Sequence, residues 1–351
     1  MQKEIIFKDY KETYQTLNFK EADKTKIGDA IDKLIFQNNK IIRLFLFGNK
    51  KDSKVYSFFC EKYPSVVVYN TKACAGASVC IHSVSGSIKK FRQVEKNGKI
   101  LGATFTTSNG AYFYFTGLQM GRSYSGFFKT EAQTLYRSIE KILKIKNLKP
   151  EEVFRYWIYL GDIYKNYASF NQVRTAYFKK SKIKDYPAST GIGVLSQKEE
   201  PNLNISFEAV KNIAEDVKIS KVDSSLQNNP WEYGSKFSRV KTIIFEKDRV
   251  QKTYISGTSS IDKKGRSAFL HNPSKNVGYV MDCVEHLLQK NKMGFNEIVF
   301  SAVYFKNQKH FNIFRKIYLK NKWKFPYLVL SADICREDLF FEVECLAAKK
   351  I

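Results

Sequence analysis

The sequence has no apolar run that approaches the roughly 18 to 20 residues of a membrane-spanning helix. Its N-terminus, MQKEIIFKDYK, alternates charged and apolar residues and so lacks the apolar core of a signal peptide. With 43% hydrophobic and 15% aromatic residues, the 351-residue chain can still bury a substantial core. These features predict a soluble, cytoplasmic globular protein without a membrane partner.

Cysteine and histidine are also scarce. The six cysteines form no CxxC pair and the four histidines are scattered, so no spacing typical of a structural zinc site occurs. We therefore expect reduced, mostly buried thiols, and we predict no metal and no other cofactor.

Acidic residues are outnumbered, since 59 Lys and Arg face 34 Asp and Glu for a formal net charge of +25. Such an excess suits an anionic small substrate, a nucleic acid or a membrane surface. However, the sequence lacks a long unmixed basic block and an aromatic RNA-binding motif, and its lysines are spread over the whole chain. We therefore predict an anionic small-molecule partner and no nucleic acid.

An internal repeat organises most of the chain. Residues 111–211 and 251–349 carry the same order of aromatic strand, helix, strand, helix and closing strand. Two signatures recur in both copies: the octad Phe-Asn-x-x-Arg-x-x-Tyr starting at Phe170 and Phe311, and Thr/Ser-Gly after the aromatic strand at Thr116-Gly117 and Ser256-Gly257. Each copy is therefore predicted to fold as a β-β-α-β-α-β unit.

The first helix of each copy has one apolar face that should lie against a sheet. In the earlier copy, a capping box formed by Thr130 and Gln133 predicts the helix start. The apolar positions are Ala132, Leu135, Ile139, Ile142 and Leu143 in that copy, and Val277, Val280, Met281, Val284, Leu287 and Leu288 in the other.

The N-terminal part follows the same order of helices and strands without the detailed residues, and we predict a third, degenerate unit there. The predicted fold is therefore α+β, with repeated β-β-α-β-α-β units in one chain and a pseudo-threefold arrangement. The predicted units are residues 1–92, 93–212 and 213–351, and the polar segment Glu215–Ser235 is interpreted as a linker.

The repeat resembles the YjgF-like, or reactive-intermediate deaminase, fold, which usually works as a homotrimer with sites between subunits. Simple members hold a substrate carboxylate with an arginine shortly after a proline. Here those places read Pro187-Ala-Ser-Thr and Pro326-Tyr-Leu-Val. The missing arginine argues against imine deamination.

Over about residues 150–351 the sequence resembles the chorismatase family, whose members are larger single chains on this fold. The resemblance rests on Arg155-Tyr-Trp157-Ile-Tyr159, Tyr167-x-x-Phe170-Asn171-x-x-Arg174, Pro187-Ala-Ser-Thr190-Gly191-Ile-Gly193, Phe237-Ser-Arg239, Ser256-Gly-Thr-Ser259-Ser and Cys335-Arg336-x-Asp338-Leu-x-x-Glu342-x-Glu344. The chain departs from the family at Ile158, at Ser259, and in lacking the histidine that usually follows the Ser256–Ser260 segment.

The resemblance implies a cofactor-independent enzyme that removes the enolpyruvyl side chain of chorismate as pyruvate. The expected second product is a hydroxybenzoate, with 3-hydroxybenzoate before 4-hydroxybenzoate, because benzoate-forming relatives also carry a cysteine at the position of Cys335. The alternatives are hydrolysis to a dihydroxycyclohexadiene carboxylate, and a non-catalytic protein that binds a small ligand or nucleic acid on the same scaffold. We expect a monomer or a small homo-oligomer.

Glu342 is the predicted general acid. It shares one strand face with Glu344, because side chains alternate along a strand. Aligning the repeats places Glu344 opposite Glu208 and Glu342 opposite Ser206, so we interpret Glu344 as part of the fold. In an aromatic pocket, desolvation would raise the pKa of Glu342 and keep it protonated near neutral pH. The alternative is an edge-strand glutamate in water.

Chorismate carries two carboxylates, so a lyase needs cationic clamps. Arg155 lies on one strand face with Trp157 and Tyr159, and the other copy has Phe300 in its place. The predicted substrate-binding residues are therefore Arg155, Tyr159 and Arg239, together with Arg174, which recurs as Arg315 and is alternatively structural.

The remaining predictions concern small residues and one thiol. Thr190 and Gly191 are placed in a loop whose backbone N–H groups can approach an anion. Ser259, in the loop after a hairpin, is predicted to line the pocket and to help decide whether water enters. Cys335 is predicted to shape the pocket or assist formation of an aromatic product, the alternative being a core thiol. Arg336 is predicted to pair with Asp338 or Glu344.

Overall fold

The computed structural model describes residues 1–71, 76–96, 98–107, 111–115, 127–194, 203–211 and 216–351. The predicted Thr116-Gly117 signature lies outside these residues. None of the described helices combines the length and the apolar character that crossing a membrane requires.

The first sheet has five strands in the order β1-β2-β5-β3-β4. We call its residues and helices unit 1, which comprises β1 (Gln2–Ile6), β2 (Tyr10–Phe19), α1 (Lys24–Phe36), β3 (Lys40–Gly48), α2 (Ser53–Cys60), β4 (Ser65–Tyr69) and β5 (Ala77–Gly86). The helices and strands predicted for the degenerate N-terminal unit are all present.

The second sheet has six strands in the order β10-β9-β11-β8-β7-β6. Unit 2 comprises β6 (Lys89–Lys96), β7 (Lys99–Thr106), β8 (Ala111–Phe115), α3 (Phe128–Ile145), β9 (Val153–Gly161), α4 (Ile163–Lys180), β10 (Ala188–Val194) and β11 (Leu203–Lys211). Because α3 begins at Phe128, Thr130 is not its N-cap, and the predicted capping box is wrong.

The third sheet has six strands in the order β12-β13-β14-β17-β15-β16. Unit 3 comprises β12 (Val217–Val222), β13 (Val240–Phe245), β14 (Val250–Ser259), α5 (Pro273–Lys290), β15 (Ile298–Phe305), α6 (Gln308–Lys320), β16 (Leu328–Ser331) and β17 (Phe341–Lys350). The predicted linker at Glu215–Ser235 therefore contains the edge strand β12, which pairs antiparallel with β13. The unit boundaries stay a prediction, with β6 starting ahead of the proposed division at residue 93.

Each unit has a short strand that runs parallel to its neighbour. β4 pairs with β3, β10 with β9, and β16 with β15. The strand β4 was predicted, whereas the Gly-containing segment of β10 was interpreted as a loop. Thr190 and Gly191 consequently lie in a strand, because each faces a residue of β9 in regular parallel register. The α+β fold is confirmed. Compared with the four strands of the predicted pattern, unit 1 has one more described strand, and units 2 and 3 have two more each.

Each sheet packs helices on one face and a shared core on the other. The apolar residues predicted on α3 and α5 are all buried. The inner faces of the three sheets meet in one aromatic-rich cluster that includes Tyr14, Phe45, Trp157, Tyr254 and Tyr304. This shared core is what a pseudo-threefold arrangement of the units requires.

Buried ion pairs join the units in a ring. Arg43 of unit 1 pairs with Glu208 of unit 2, and Arg155 of unit 2 pairs with Glu344 of unit 3. Lys252 of unit 3 closes the ring, with its Nζ atom 2.9 Å from Oε2 of Glu12 in unit 1. All six side chains are almost fully buried.

Strand register corrects the sequence alignment of the two final strands. Arg155 faces Glu208 across β9 and β11. Phe300, which the repeat aligns with Arg155, faces Leu346 across β15 and β17. Glu208 therefore corresponds to Leu346, and the predicted correspondence of Glu208 with Glu344 is wrong by two residues. The repeat consequently gives no reason to separate Glu344 from Glu342.

Candidate active site

A cavity of about 330 Å³ lies between units 2 and 3. Helix α4 and strand β10 contribute one wall, and β14, β17, the segment before β13 and the β16–β17 connection contribute the other. Its volume falls at the lower end of the range for small-ligand sites, roughly 300–1,000 Å³. Six of the predicted site residues line it: Arg174, Gly191, Arg239, Ser259, Cys335 and Glu342.

Glu342 is the one carboxyl group among the described residues that line the cavity. It lies on β17 between Ser259 of β14 and Tyr304 of β15, and its side chain is 4% exposed. Burial, and then the charge of Glu344, raise its pKa to about 8, although Arg239 and Arg155 act in the opposite direction. Glu342 is therefore largely protonated at neutral pH.

Glu344, two residues further along the same strand face, has a different environment. Arg155 forms an ion pair with its carboxylate, and the hydroxyl of Thr190 donates to the same oxygen. The other oxygen accepts hydrogen bonds from Nε1 of Trp157 at 3.1 Å and from the hydroxyl of Tyr304 at 2.7 Å. Glu344 is thus fully engaged by protein groups, whereas no described residue donates a hydrogen bond to Glu342.

Arg155, Thr190 and Tyr159 do not line the cavity. The prediction that they bind substrate directly is not supported, because Arg155 and Thr190 are occupied by Glu344. Tyr159 is fully buried in the shared core, where burial and the nearby charge of Glu344 raise its pKa well above the ordinary value. These three residues lie behind the cavity wall.

Arg174 and Arg239 both lie close to the ring of Phe237 in the cavity wall. Their Cζ atoms lie 5.9 and 5.6 Å from the ring centroid. Nη2 of Arg174 donates to Oδ1 of Asn171 at 2.5 Å, while its buried Nε has no partner among the described residues. Both guanidinium groups are almost completely buried.

Arg239 and a third arginine are held by neutral groups. Nη2 of Arg239 donates to the carbonyl oxygen of Asn228 at 3.0 Å and to the hydroxyl of Tyr233 at 3.1 Å. Arg336 donates to the carbonyl oxygen of Gly265 at 2.8 Å, and its predicted pairing with an acidic side chain is not found.

The cavity is therefore cationic. None of its three arginines is in an ion pair with a described carboxylate. A buried guanidinium without a counter-ion is costly, and an anionic ligand would relieve that cost.

Cys335 lines the cavity as a protonated thiol. Burial and the neighbouring Glu342 raise its pKa to about 12, and Arg336 and Arg239 lower it less. A thiol in this state is a poor nucleophile, since the thiolate is the reactive form. The predicted role in shaping the pocket therefore fits better than covalent chemistry.

Ser259 is the last residue of β14 and lies in a strand, not in the predicted loop. Its hydroxyl donates to the carbonyl oxygen of Phe341 at 2.6 Å. Its oxygen keeps the capacity to accept a hydrogen bond from water. Ser259 thus lines the cavity as predicted, with its orientation fixed by the neighbouring strand.

Three tyrosines that were not predicted as site residues also line the cavity: Tyr164, Tyr167 and Tyr233. Burial and the neighbouring Cys335 raise the pKa of Tyr167 to about 12, so it remains a phenol that can donate a hydrogen bond. Tyr233 belongs to the predicted linker. In the sequence, Pro230 and Gly234 on either side of it indicate a linker. No local pattern predicts that this segment lines a cavity.

The fold of the whole chain is similar to that of chorismatase. A crystal structure of chorismatase at 1.08 Å resolution matches 96% of this chain and 98% of its own, with a TM-score of 0.67 and 15% sequence identity. A putative endoribonuclease L-PSP from Entamoeba histolytica matches 38% of this chain and 100% of its own, at 22% identity and a TM-score of 0.32. A Rid-family protein of unknown function from Yersinia pestis matches the same shares at 19% identity and a TM-score of 0.29. No protein-family model and no curated protein matches the sequence.

The chain is thus an α+β protein of three sheets whose fold is similar to that of chorismatase over 96% of its length. At 15% identity, this similarity establishes the fold and not the reaction.

Proposed function

We propose that this protein is a chorismatase-type lyase that cleaves the enolpyruvyl ether of chorismate to pyruvate and a hydroxybenzoate. The observation that carries the proposal is Glu342, a buried carboxyl group with a pKa of about 8 that lines a cavity with three arginines. A protonated carboxyl at neutral pH is what general-acid attack on a vinyl ether needs.

The charges of the cavity suit this substrate. Chorismate is a dianion, and the guanidinium groups of Arg174, Arg239 and Arg336 lack carboxylate partners among the described residues. Arginine can bind a carboxylate through two parallel hydrogen bonds. Phe237, which lines the cavity close to two of these arginines, supplies an apolar side chain for the ring of the ligand.

The reaction follows from the protonation state of Glu342. Its carboxyl group transfers a proton to the terminal carbon of the vinyl ether, leaving an oxocarbenium ion and the Glu342 carboxylate. Water or the ring hydroxyl of the substrate then adds to the cation. The added hydroxyl passes its proton to the Glu342 carboxylate, which restores the acid. When the ring hydroxyl has added, the bond between its oxygen and the ring breaks, and this oxygen becomes the carbonyl oxygen of pyruvate. The bond between the pyruvyl carbon and the ether oxygen breaks as well, and that oxygen stays on the ring. The ring carbon that bears it loses a proton, which the oxygen takes up, and the aromatic hydroxybenzoate results.

Two alternatives remain: hydrolysis, in which water traps the cation, and a protein that binds a ligand without catalysis. Trapping by water held at Ser259 would give a dihydroxycyclohexadiene carboxylate. A non-catalytic protein that binds a small ligand or nucleic acid would be favoured by a solvent-facing Glu342, but this side chain is 4% exposed.

Incubation with chorismate tests the proposal. We expect pyruvate release by the wild type, measured by coupling to lactate dehydrogenase, and a loss of about 10²- to 10⁴-fold in kcat for Glu342→Gln. Glu337→Gln is the matched control, because this exposed carboxylate lies on the same segment outside the cavity. Absence of pyruvate with the wild type, or an unaffected Glu342→Gln variant, would disprove the reaction.

The identity of the second product depends on Cys335. We expect 3-hydroxybenzoate from the wild type and a shift toward the diol for Cys335→Ala, since the smaller side chain leaves space for water. Chromatographic resolution of the products measures the ratio, with Cys60→Ala in unit 1 as the control. An unchanged ratio would show that Cys335 does not influence which product forms.

A further inference from the structure

The space beside Gly257 is occupied by the carboxyl group of Glu342. A Cβ atom at Gly257 would overlap Oε1 of Glu342 and lie 2.9 Å from its Cδ atom. It would also lie 3.1 Å from Cγ2 of Thr190. Carbon atoms in contact normally stand about 3.5–4.0 Å apart. A side chain at residue 257 and the observed position of the Glu342 carboxyl therefore exclude each other.

The backbone itself does not require glycine at this position. The described glycines with a left-handed backbone are Gly86, Gly98, Gly234 and Gly265, and Gly257 is not among them. An L-residue could adopt its conformation without strain. The reason for glycine at residue 257 is therefore the space that Glu342 fills.

Gly257 lies in a bulge that cannot easily move away. The register between β14 and β17 shifts between Ile255 and Thr258. The N–H of Gly257 donates to Oγ1 of Thr190 in unit 2 at 3.0 Å. Beside it, the hydroxyl of Ser256 donates to the carbonyl oxygen of Ser238 at 2.6 Å.

Ser256 also anchors the bulge to the opposite wall, since its hydroxyl accepts the N–H of Ser189 at 2.8 Å. Residue 257 is thus fixed to unit 2 directly and through its neighbour. By contrast, Glu342 receives no hydrogen bond from a described residue. When the two compete for space, the Glu342 side chain has to yield.

We propose that Gly257 is a positioning residue that fixes where the Glu342 carboxyl stands in the cavity wall. A larger residue would turn the acid away from a ligand held by the arginines. This inference rests on the proposed function for the role of Glu342 as the acid, whereas the mutual exclusion of the two groups is a property of the fold.

A double-mutant cycle tests the inference. Gly257→Ala is expected to lower kcat for pyruvate release about 100-fold, the effect of moving a catalytic group by about 1 Å, with KM little changed because the arginines are untouched. In a Glu342→Asp background the carboxyl is withdrawn by one methylene group. There we expect Gly257→Ala to lower the residual kcat by less than about threefold, a clear departure from additivity.

Gly278→Ala is the control, because a Cβ on this residue of α5 meets no atom within 4 Å. We expect it to leave kcat and KM at wild-type values. An equal loss from Gly257→Ala in both backgrounds would overturn the inference, since it would point to a general disturbance of β14. Unchanged kcat for Gly257→Ala would overturn it as well.

Thermal unfolding without ligand supplies a readout that does not depend on the reaction. We expect Gly257→Ala to lower Tm in the wild-type background and to lower it much less in the Glu342→Asp background. If Gly257→Ala alone does not fold, a double variant that does fold would support the same conclusion. Equal losses of Tm would overturn the inference. The two proposals can fail separately. If the loss of Tm is smaller in the Glu342→Asp background but the wild type releases no pyruvate, the proposed reaction is refuted and the contact between Gly257 and Glu342 is still supported.

Discussion

At the scale of single residues, two glutamates on one face of β17 differ because of their immediate partners. Glu344 is surrounded by donors from Arg155, Trp157 and Thr190. Glu342, two residues away, faces the cavity without a described donor. The same residue type therefore serves the fold at one position and is available for acid chemistry at the other. This difference replaces the repeat alignment as the reason for choosing Glu342.

The protonation of Glu342 predicts how stability depends on pH. Its pKa is about 8 in the folded chain, against 4.5 for the free side chain. Because the folded state holds this proton more tightly than the unfolded chain, the group contributes most stability below pH 4.5, and that contribution is lost as pH rises through about 8. We therefore expect the Tm of the wild type to fall relative to the Tm of Glu342→Gln as pH rises from 4.5 to 8.

Differential scanning calorimetry at several pH values measures this effect, and titrating groups that do not interact with Glu342 cancel in the comparison of the two proteins. A difference in Tm that stays constant from pH 4.5 to 8 would contradict a raised pKa for Glu342.

At the scale of elements, the candidate site depends on strands whose pairing cannot be predicted from the composition of each strand alone. The segment of β10 has glycines at Gly191 and Gly193, which favour a loop when read from sequence. It forms a strand because β9 lies beside it in parallel register, and Gly193 receives additional support from a hydrogen bond of its N–H to the carbonyl oxygen of Asp333 at 2.8 Å. The bulge in β14 is likewise set by pairing, and it places Ser259 directly opposite Glu342.

At the scale of the whole molecule, three sheets share one core and exchange buried ion pairs. The cavity lies between units 2 and 3, so neither unit alone provides a complete wall. The candidate site therefore depends on two units of one chain lying side by side. The ion pair of Glu12 with Lys252 links unit 1 to unit 3 and closes the ring of units.

Breaking that closing pair should weaken the whole fold. Burial opposes ionisation of Glu12, but Lys252 and His82 hold its pKa at about 2. Lys252→Met leaves a buried carboxylate without its ammonium partner, and we expect it to lower the free energy of unfolding by about 3–5 kcal/mol. Urea denaturation measures the loss.

The double variant Glu12→Gln/Lys252→Met removes both charges and should recover a large part of that loss. Lys11→Met is the matched control, since the pair of Lys11 with Glu4 is partly exposed and should contribute less than about 1 kcal/mol. Additive effects of the two buried substitutions would argue against the pair as a structural link.

The sequence by itself determined the order of helices and strands within the units, the helix faces and six residues that line the cavity. Each of these depends on neighbours along the chain: apolar periodicity buries α3 and α5, and the recurring octad reveals the repeat. Only the tertiary structure decided that Arg155 pairs with Glu344 and that Gly257 makes room for Glu342. Those outcomes depend on register and on contacts between units far apart in the chain, where a shift of two residues along a strand replaces one partner with another.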